Sequence, residues 1–184
     1  MTGRTPYPTR PGGPQDLEFL WEMLYEATHH RPLSDPAISR YLEGWGRPGD
    51  TTVVALDPVD GRRIGAAWYR LMTPDNPGYG FLNASTPEIT LAVVPERRGA
   101  GVGEALLRGL LDAARTQGFN ALSLSVRRDN PAAVKLYERN GFVKLSDINS
   151  EYPSWAMKVD LITCDEEDKG PRQAQALATG EPRD

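Results

Sequence analysis

Residues 88–111 read EITLAVVPERRGAGVGEALLRGLL. After Glu88 the next six are aliphatic or β-branched and are stopped by Pro95, as a strand should be. Glycines follow at every second position (Gly99, Gly101, Gly103), then Val102, Leu106, Leu110 and Ala113 recur at helical spacing up to Gly118. Strand, glycine-rich turn and helix start together make an anion site: backbone N–H groups point outward, and glycines let an oxyanion approach. Arg97 and Arg98 stand where the helix dipole is already positive and cations are disfavoured. A second pair, Arg127-Arg128, precedes another helix, which Asn130-Pro131 opens as N-cap and first residue. Solvated arginines on a surface loop would account for one such pair. An anionic ligand spanning both helix starts accounts for both, and a diphosphate fits the length of RRGAGVG.

The flanking segments supply the rest of a mixed sheet. Thr5 to Arg10 reads as a short first strand, and DLEFLWEMLYEATHH from Asp16 as a helix with Leu17, Leu20, Trp21, Leu24 and Tyr25 on its apolar face. A shorter helix is expected over 35–42. TTVVAL and IGAAWYRLM, separated by the turn DPVDG, read as a hairpin, and 73–80 as a loop. ALSLSV (121–126) alternates as a strand with one buried face should; FVKL and SWAMKV complete the strands. A hairpin early and β-α-β-α-β late indicate an α/β, mixed α+β domain, with a central mixed sheet of six to seven strands and about four helices.

The 184 residues support one core, assigned to 1–162. Of the 25 acids and 21 bases, six acids and three bases lie beyond Leu161, so the remaining body is nearly neutral. The segment 163–184 is expected to be a polar, disordered tail. No basic face points to nucleic acid. The one cysteine, Cys164, excludes a disulfide framework, and without a Cys/His cluster no metal site is expected. The N-terminus has no apolar stretch like that of a signal peptide, and no segment approaches a membrane span; a cytoplasmic protein is expected. A dinucleotide fingerprint fits GAGVGE poorly. Its third glycine would fall at Glu104, and ALSLSV ends without the acid that would bind a ribose.

The pattern Arg98-x-x-Gly101-x-Gly103 after EITLAVV, followed about thirty residues on by DNPAAVKLYERNGF, resembles the GNAT superfamily of acyl-CoA-dependent N-acetyltransferases. The strongest similarity spans about 88–142. It implies acetyl-CoA as co-substrate. Arg98, Gly99, Ala100, Gly101, Val102 and Gly103 would then hold its pyrophosphate through backbone amides. The exposed backbone of Leu91, Ala92 and Val93 would pair with the pantetheine arm, with Asn130 and Ala133 beside it. Tyr137 would face the thioester sulfur as proton donor, and Glu88 would serve as base. Commoner members carry an aromatic residue where Arg97 stands.

These roles suit the chemistry. A neutral amine attacks a thioester directly, a thiolate leaves, and no enzyme nucleophile is needed. Each residue also has an ordinary reading: Asn130 as a helix cap, Tyr137 as a half-buried aromatic, Glu88 as a solvated strand residue. The resemblance places the acceptor among segments carrying Tyr25, Glu26, His29, His30, Trp45, Tyr79, Asn83, Asp147, Glu151 and Tyr152. That set, aromatic with some acid, suits a small amine or a peptide N-terminus equally. Trp21, Trp45 and Trp68 read as core, and the adjacent histidines as incidental. A homodimer is compatible with the resemblance. The competing functional class is a non-catalytic acyl-CoA-binding sensor or partner-binding module, which needs the anion loop but neither Glu88 nor Tyr137.

Overall fold

The aliphatic runs flanking DPVDG do form a hairpin, and it anchors a seven-stranded sheet. In the computed structural model, which describes residues 7–161, the strands are β1 (Thr9–Pro11), β2 (Thr51–Leu56), β3 (Arg63–Arg70), β4 (Glu88–Val93), β5 (Ala121–Arg127), β6 (Val143–Ile148) and β7 (Ser154–Asp160). They lie in the order β1-β2-β3-β4-β5-β7-β6. The helices are α1 (Leu17–Ala27), α2 (Pro36–Ser39), α3 (Val102–Thr116) and α4 (Pro131–Arg139). Two expectations, the disordered tail 163–184 and the start of the first strand at Thr5, lie outside the described residues. None of the described helices is long and apolar enough to cross a membrane, and no described group of His, Cys, Asp and Glu suits a metal.

Side-chain alternation along the strands feeds two cores, one on each face of the sheet. Val53, Ala67 and Tyr69 pack with Leu106, Leu107 and Leu110 of α3 and with Val134 and Tyr137 of α4. Val54, Ala66 and Trp68 pack with Leu20 and Leu24 of α1 and Ile38 of α2. Helices on both faces explain why β5 departs from its expected single buried face: Ala121, Leu122, Ser123 and Leu124 are all buried. The same packing rotates α1 from its expected face. Phe19, Leu20, Met23 and Leu24 go inward, while Tyr25 is exposed. In α3 the inward alanine is Ala114 rather than Ala113, and α2 is shorter than 35–42.

One joint in the sheet positions the site. β4 follows β3 in unbroken antiparallel register from Arg70↔Glu88 to Gly65↔Val93. β5 follows β7 from Ala121↔Asp160 to Arg127↔Ser154. Between them β4 and β5 share a single parallel pair, Glu88↔Ser123. Each strand keeps to its outer partner, so the two half-sheets diverge beyond that pair and leave a gap between the two helical layers.

Beneath the hairpin a buried ion pair fixes the loop after α2. Arg70 and Asp50, with side chains 1% and 3% exposed, meet in a fork of 3.0 Å (Nε to Oδ1) and 2.6 Å (Nη2 to Oδ2). Arg70 Nη1 also donates to the carbonyls of Arg40 and Glu43. Paired and hydrogen-bonded in this way, a buried guanidinium is tolerable.

Candidate active site

Two cavities occupy the gap and meet within it. The outer cleft, about 900 Å³, runs between the glycine-rich loop and α4; the inner cavity, about 150 Å³, reaches down to the apex of the strand divergence. Leu91, Asn130, Ala133, Tyr137, Ala27 and His29 line both.

The outer cleft carries the features expected of an anion site. Gly99 and Gly101 have φ of 70° and 97°, left-handed values that glycine adopts without penalty, and Gly101 is the N-cap of α3. A Cβ on Gly99 would meet no atom within 4 Å, so this backbone is open to a ligand. Leu91, Ala92, Val93, Arg98, Gly99, Gly101, Val102 and Gly103 all line the cleft; Ala100 does not. Val94 N–H donates to Ile64 of β3, so by alternation Leu91 and Val93 turn their backbone groups toward the gap. Arg98 Nε donates to the Val93 carbonyl there at 3.2 Å, and its Nη2 pairs with Glu26 at 2.7 Å.

The two arginine pairs do not form one cradle. Arg97 is bound to Asp57, Arg127 to Asp129, and Arg128 to Asp147 at 2.5 Å while covering the Trp155 ring. Arg127 lines the inner cavity, and Arg128 lines neither. The cations that join Arg97 and Arg98 around the outer cleft are instead Lys135 and Arg139, carried one helical turn apart on α4. Their spacing of four in PAAVKLYER was the available sign. Loop amides, an open strand edge and cations on both walls fit a long, phosphate-bearing ligand such as acetyl-CoA.

At the apex, Glu88 is 2% exposed. Its Oε1 accepts from Tyr41 O–H and from Gly80 N–H, both at 2.8 Å. Tyr41 in turn accepts from Tyr79 N–H at 2.8 Å, which directs its own proton to Glu88. Glu88 Oε2 is buried without a hydrogen-bond partner among the described residues, and Glu88 lines the inner cavity. Burial pushes this carboxyl up from its ordinary 4.5 to about 7, against the opposing pull of Gly80, Tyr41 and the nearby Arg40. Such a group exchanges a proton near neutrality, and its Oε2 is packed against Gly78 with its hydrogen-bonding capacity unused among the described residues. A Cβ on Gly78 would lie 2.0 Å from Oε2, so only glycine admits the carboxyl in this position.

Tyr137 sits where the cavities join, 7% exposed, its ring edge-on to Phe142 at 5.5 Å. Burial raises its phenol to about 12, which makes it a poor acid and leaves it a hydrogen-bond donor. Asn130 Oδ1 caps α4 by accepting from Ala133 N–H at 3.3 Å. That leaves its amide NH₂, which can only donate, for another partner.

The inner cavity differs from the acceptor site expected. Of the ten residues expected to face an acceptor, His29, Tyr79 and Tyr152 line it. Glu26 lines the outer cleft, whereas Tyr25, His30, Trp45, Asn83, Asp147 and Glu151 line neither. Tyr25 stacks on His30, with ring centroids 4.8 Å apart. Tyr41, Arg31 and Arg127 stand in the lining instead, and only the folded chain brings them there. His29 and His30 are consecutive left-handed residues, φ 55° and 66°, turning the chain at the end of α1. Burial and then the field of Arg127 lower the His29 pKa.

Residues 17–142 match the model of the acetyltransferase (GNAT) family. The L-2,4-diaminobutyric acid acetyltransferase of Nocardia farcinica is 36% identical over 128 residues, covering 66% of this chain and 57% of that one. The [ribosomal protein bS18]-alanine N-acetyltransferase of Escherichia coli is 38% identical over 72 residues, 39% of this chain and 49% of that one. The chain thus spans about half the length of these curated relatives. Among solved structures, a GNAT superfamily phosphinothricin acetyltransferase from Sinorhizobium meliloti, in complex with acetyl-CoA, superposes with a TM-score of 0.66. It is 22% identical, with 85% of this chain and 89% of that one covered, and so shares the fold.

Proposed function

Because the chain belongs to the acetyltransferase (GNAT) family, we propose that it moves an acetyl group from acetyl-CoA to the amine of a small molecule or peptide by direct attack. The observation that carries this reading is the junction of two cavities at Tyr137, one walled by the glycine-rich loop and the other lined by the buried carboxyl of Glu88, whose Oε2 has no hydrogen-bond partner among the described residues.

Acetyl-CoA supplies an activated thioester; the C–N bond forms as the C–S bond breaks, the amine loses a proton and the thiolate gains one. The chain's residues manage binding and protons. The loop amides from Gly99 to Gly103 (the Arg98 N–H is given to the Pro95 carbonyl), with Lys135 and Arg139 opposite, hold the phosphates, and the gap-facing backbone of Leu91 and Val93 takes the arm as an added strand. Asn130 donates to that arm from its amide. Glu88, in the lining of the inner cavity, accepts the proton of the incoming ammonium, directly or through water. Tyr137 stabilises the departing sulfur by hydrogen bonding. Full transfer from a phenol near 12 to a thiolate near 8.5 is uphill by about 5 kcal/mol.

Supporting the reading, both named relatives are acetyltransferases of amine-bearing acceptors, one a diamino acid and the other a ribosomal protein. The test incubates purified protein with acetyl-CoA and a broad panel of amines and peptides, with thiol release as the signal. Tyr137→Phe should lower kcat at least tenfold with acetyl-CoA affinity unchanged. Silence across the panel with intact acetyl-CoA affinity would favour the non-catalytic binding module, and no acetyl-CoA affinity would defeat both readings.

A further inference from the structure

The inner cavity has a charge opposite to that expected for a site binding cationic amines. Arg31, from the loop after α1, donates from Nη1 to Tyr79 O–H at 3.0 Å and from Nη2 to Asp35 at 3.1 Å. Its guanidinium carbon lies 5.7 Å from the centre of the Tyr79 ring and 5.3 Å from that of Tyr152. Arg127, at the end of β5, covers the same Tyr152 ring at 4.9 Å. One tyrosine thus holds two guanidinium groups from separate elements at one rim. Both arginines line the inner cavity, whereas their acids, Asp35 and Asp129, do not. Arg127 binds Asp129 through Nε and Nη2, and Nη1 has no acceptor among the described residues. The one acid in the lining is Glu88, at the far, buried end.

We propose that the acceptor is an amine that also carries a carboxylate, with Arg31 and Arg127 binding the carboxylate at the rim and Glu88 receiving the amine at the apex. This deepens the acetyl-transfer reading and rests on it. Each guanidinium is already paired with an acid outside the lining, so recognition rests on the donors left over, and ring stacking and fork geometry suit planar anion recognition by arginine. The separation of rim and apex sets polarity: the anionic end outward, the nucleophile inward beside Tyr137. With a volume near 150 Å³, the cavity admits a small acceptor.

The test uses two matched trios: alanine, alaninamide and ethylamine, and 2,4-diaminobutyrate, its carboxamide and 1,3-diaminopropane. Thiol release is expressed per concentration of neutral amine, because removing the carboxylate changes the amine's own pKa. The same compounds are titrated calorimetrically into protein saturated with coenzyme A. In at least one trio the carboxylate should lead both other members by about tenfold in kcat/KM and in affinity, equivalent to about 1.4 kcal/mol. Arg31→Gln and Arg127→Gln, checked for folding by circular dichroism, should bring that ratio toward one, and Arg31→Lys should retain part of it. Amides or diamines that equal the carboxylates in rate and affinity overturn the proposal, as does a ratio unchanged in both Gln variants. Tight, arginine-dependent carboxylate binding without thiol release sustains the anion site and defeats acetyl transfer. Absence of both binding and turnover across the trios, with acetyl-CoA affinity intact, defeats the anion site alone.

Discussion

Glu88→Gln tests the proposed chemistry and the burial argument together. The substitution keeps the shape of the side chain and removes its proton affinity. In the folded protein Glu88 titrates at about 7, against an ordinary value of 4.5. If both Glu88 and the acceptor amine must be deprotonated, log kcat/KM climbs with a slope of about two below pH 7, and of about one from there to the amine's pKa. In Glu88→Gln the slope should be about one throughout, with activity at pH 8 lower by roughly 10²–10⁴. Stability supplies an independent reading. Between pH 4.5 and 7 the folded state holds a proton that the unfolded chain has released. The group therefore favours folding fully below pH 4.5, and that contribution is lost as pH rises through 7. The loss amounts to roughly 2.5 pH units at 1.36 kcal/mol each, or about 3 kcal/mol. Urea denaturation from pH 4 to pH 8 should show the stability of Glu88→Gln relative to wild type growing by about that amount. A variant that keeps the slope of two refutes Glu88 as the base. Parallel stability curves refute its buried, proton-holding state.

Other perturbations separate scaffold from site. Gly101→Ala and Gly118→Ala each force a left-handed residue at an end of α3, with φ of 97° and 80°. Both should lose about 1–2 kcal/mol in chemical denaturation, but only Gly101→Ala should weaken acetyl-CoA binding, by tenfold or more in titration calorimetry. Asp50→Ala leaves Arg70 buried without its charge partner. It should cost about 3–5 kcal/mol and lower Tm by on the order of 10 °C, with no effect on the pH profile of the protein that remains folded. Gly78→Ala drives a methyl group into Glu88 Oε2 and should lower kcat while acetyl-CoA affinity holds, since Gly78 lines neither cavity.

The sequence by itself determined most of the fold and the shape of the glycine-rich loop proposed to hold the donor, because local rules govern both. Strand alternation, Pro95, the glycines around α3 and the Asn130-Pro131 cap act within a few residues, so the turn from Arg98 to Gly103 and both helix starts were legible before any contact was known. Tertiary structure decided what depends on partners distant in sequence. The arginine pairs looked like one cradle, but ion pairs with Asp57, Asp129 and Asp147 turn them to different tasks. Burial gives Glu88 its affinity for a proton, against the hydrogen bonds from Tyr41 and Gly80, and no neighbour in EITLAVV signals that environment. The inner cavity draws Arg31, Tyr79, Arg127 and Tyr152 from four separate segments. Its charge is a sum over side chains that meet only after the two half-sheets diverge from Glu88↔Ser123.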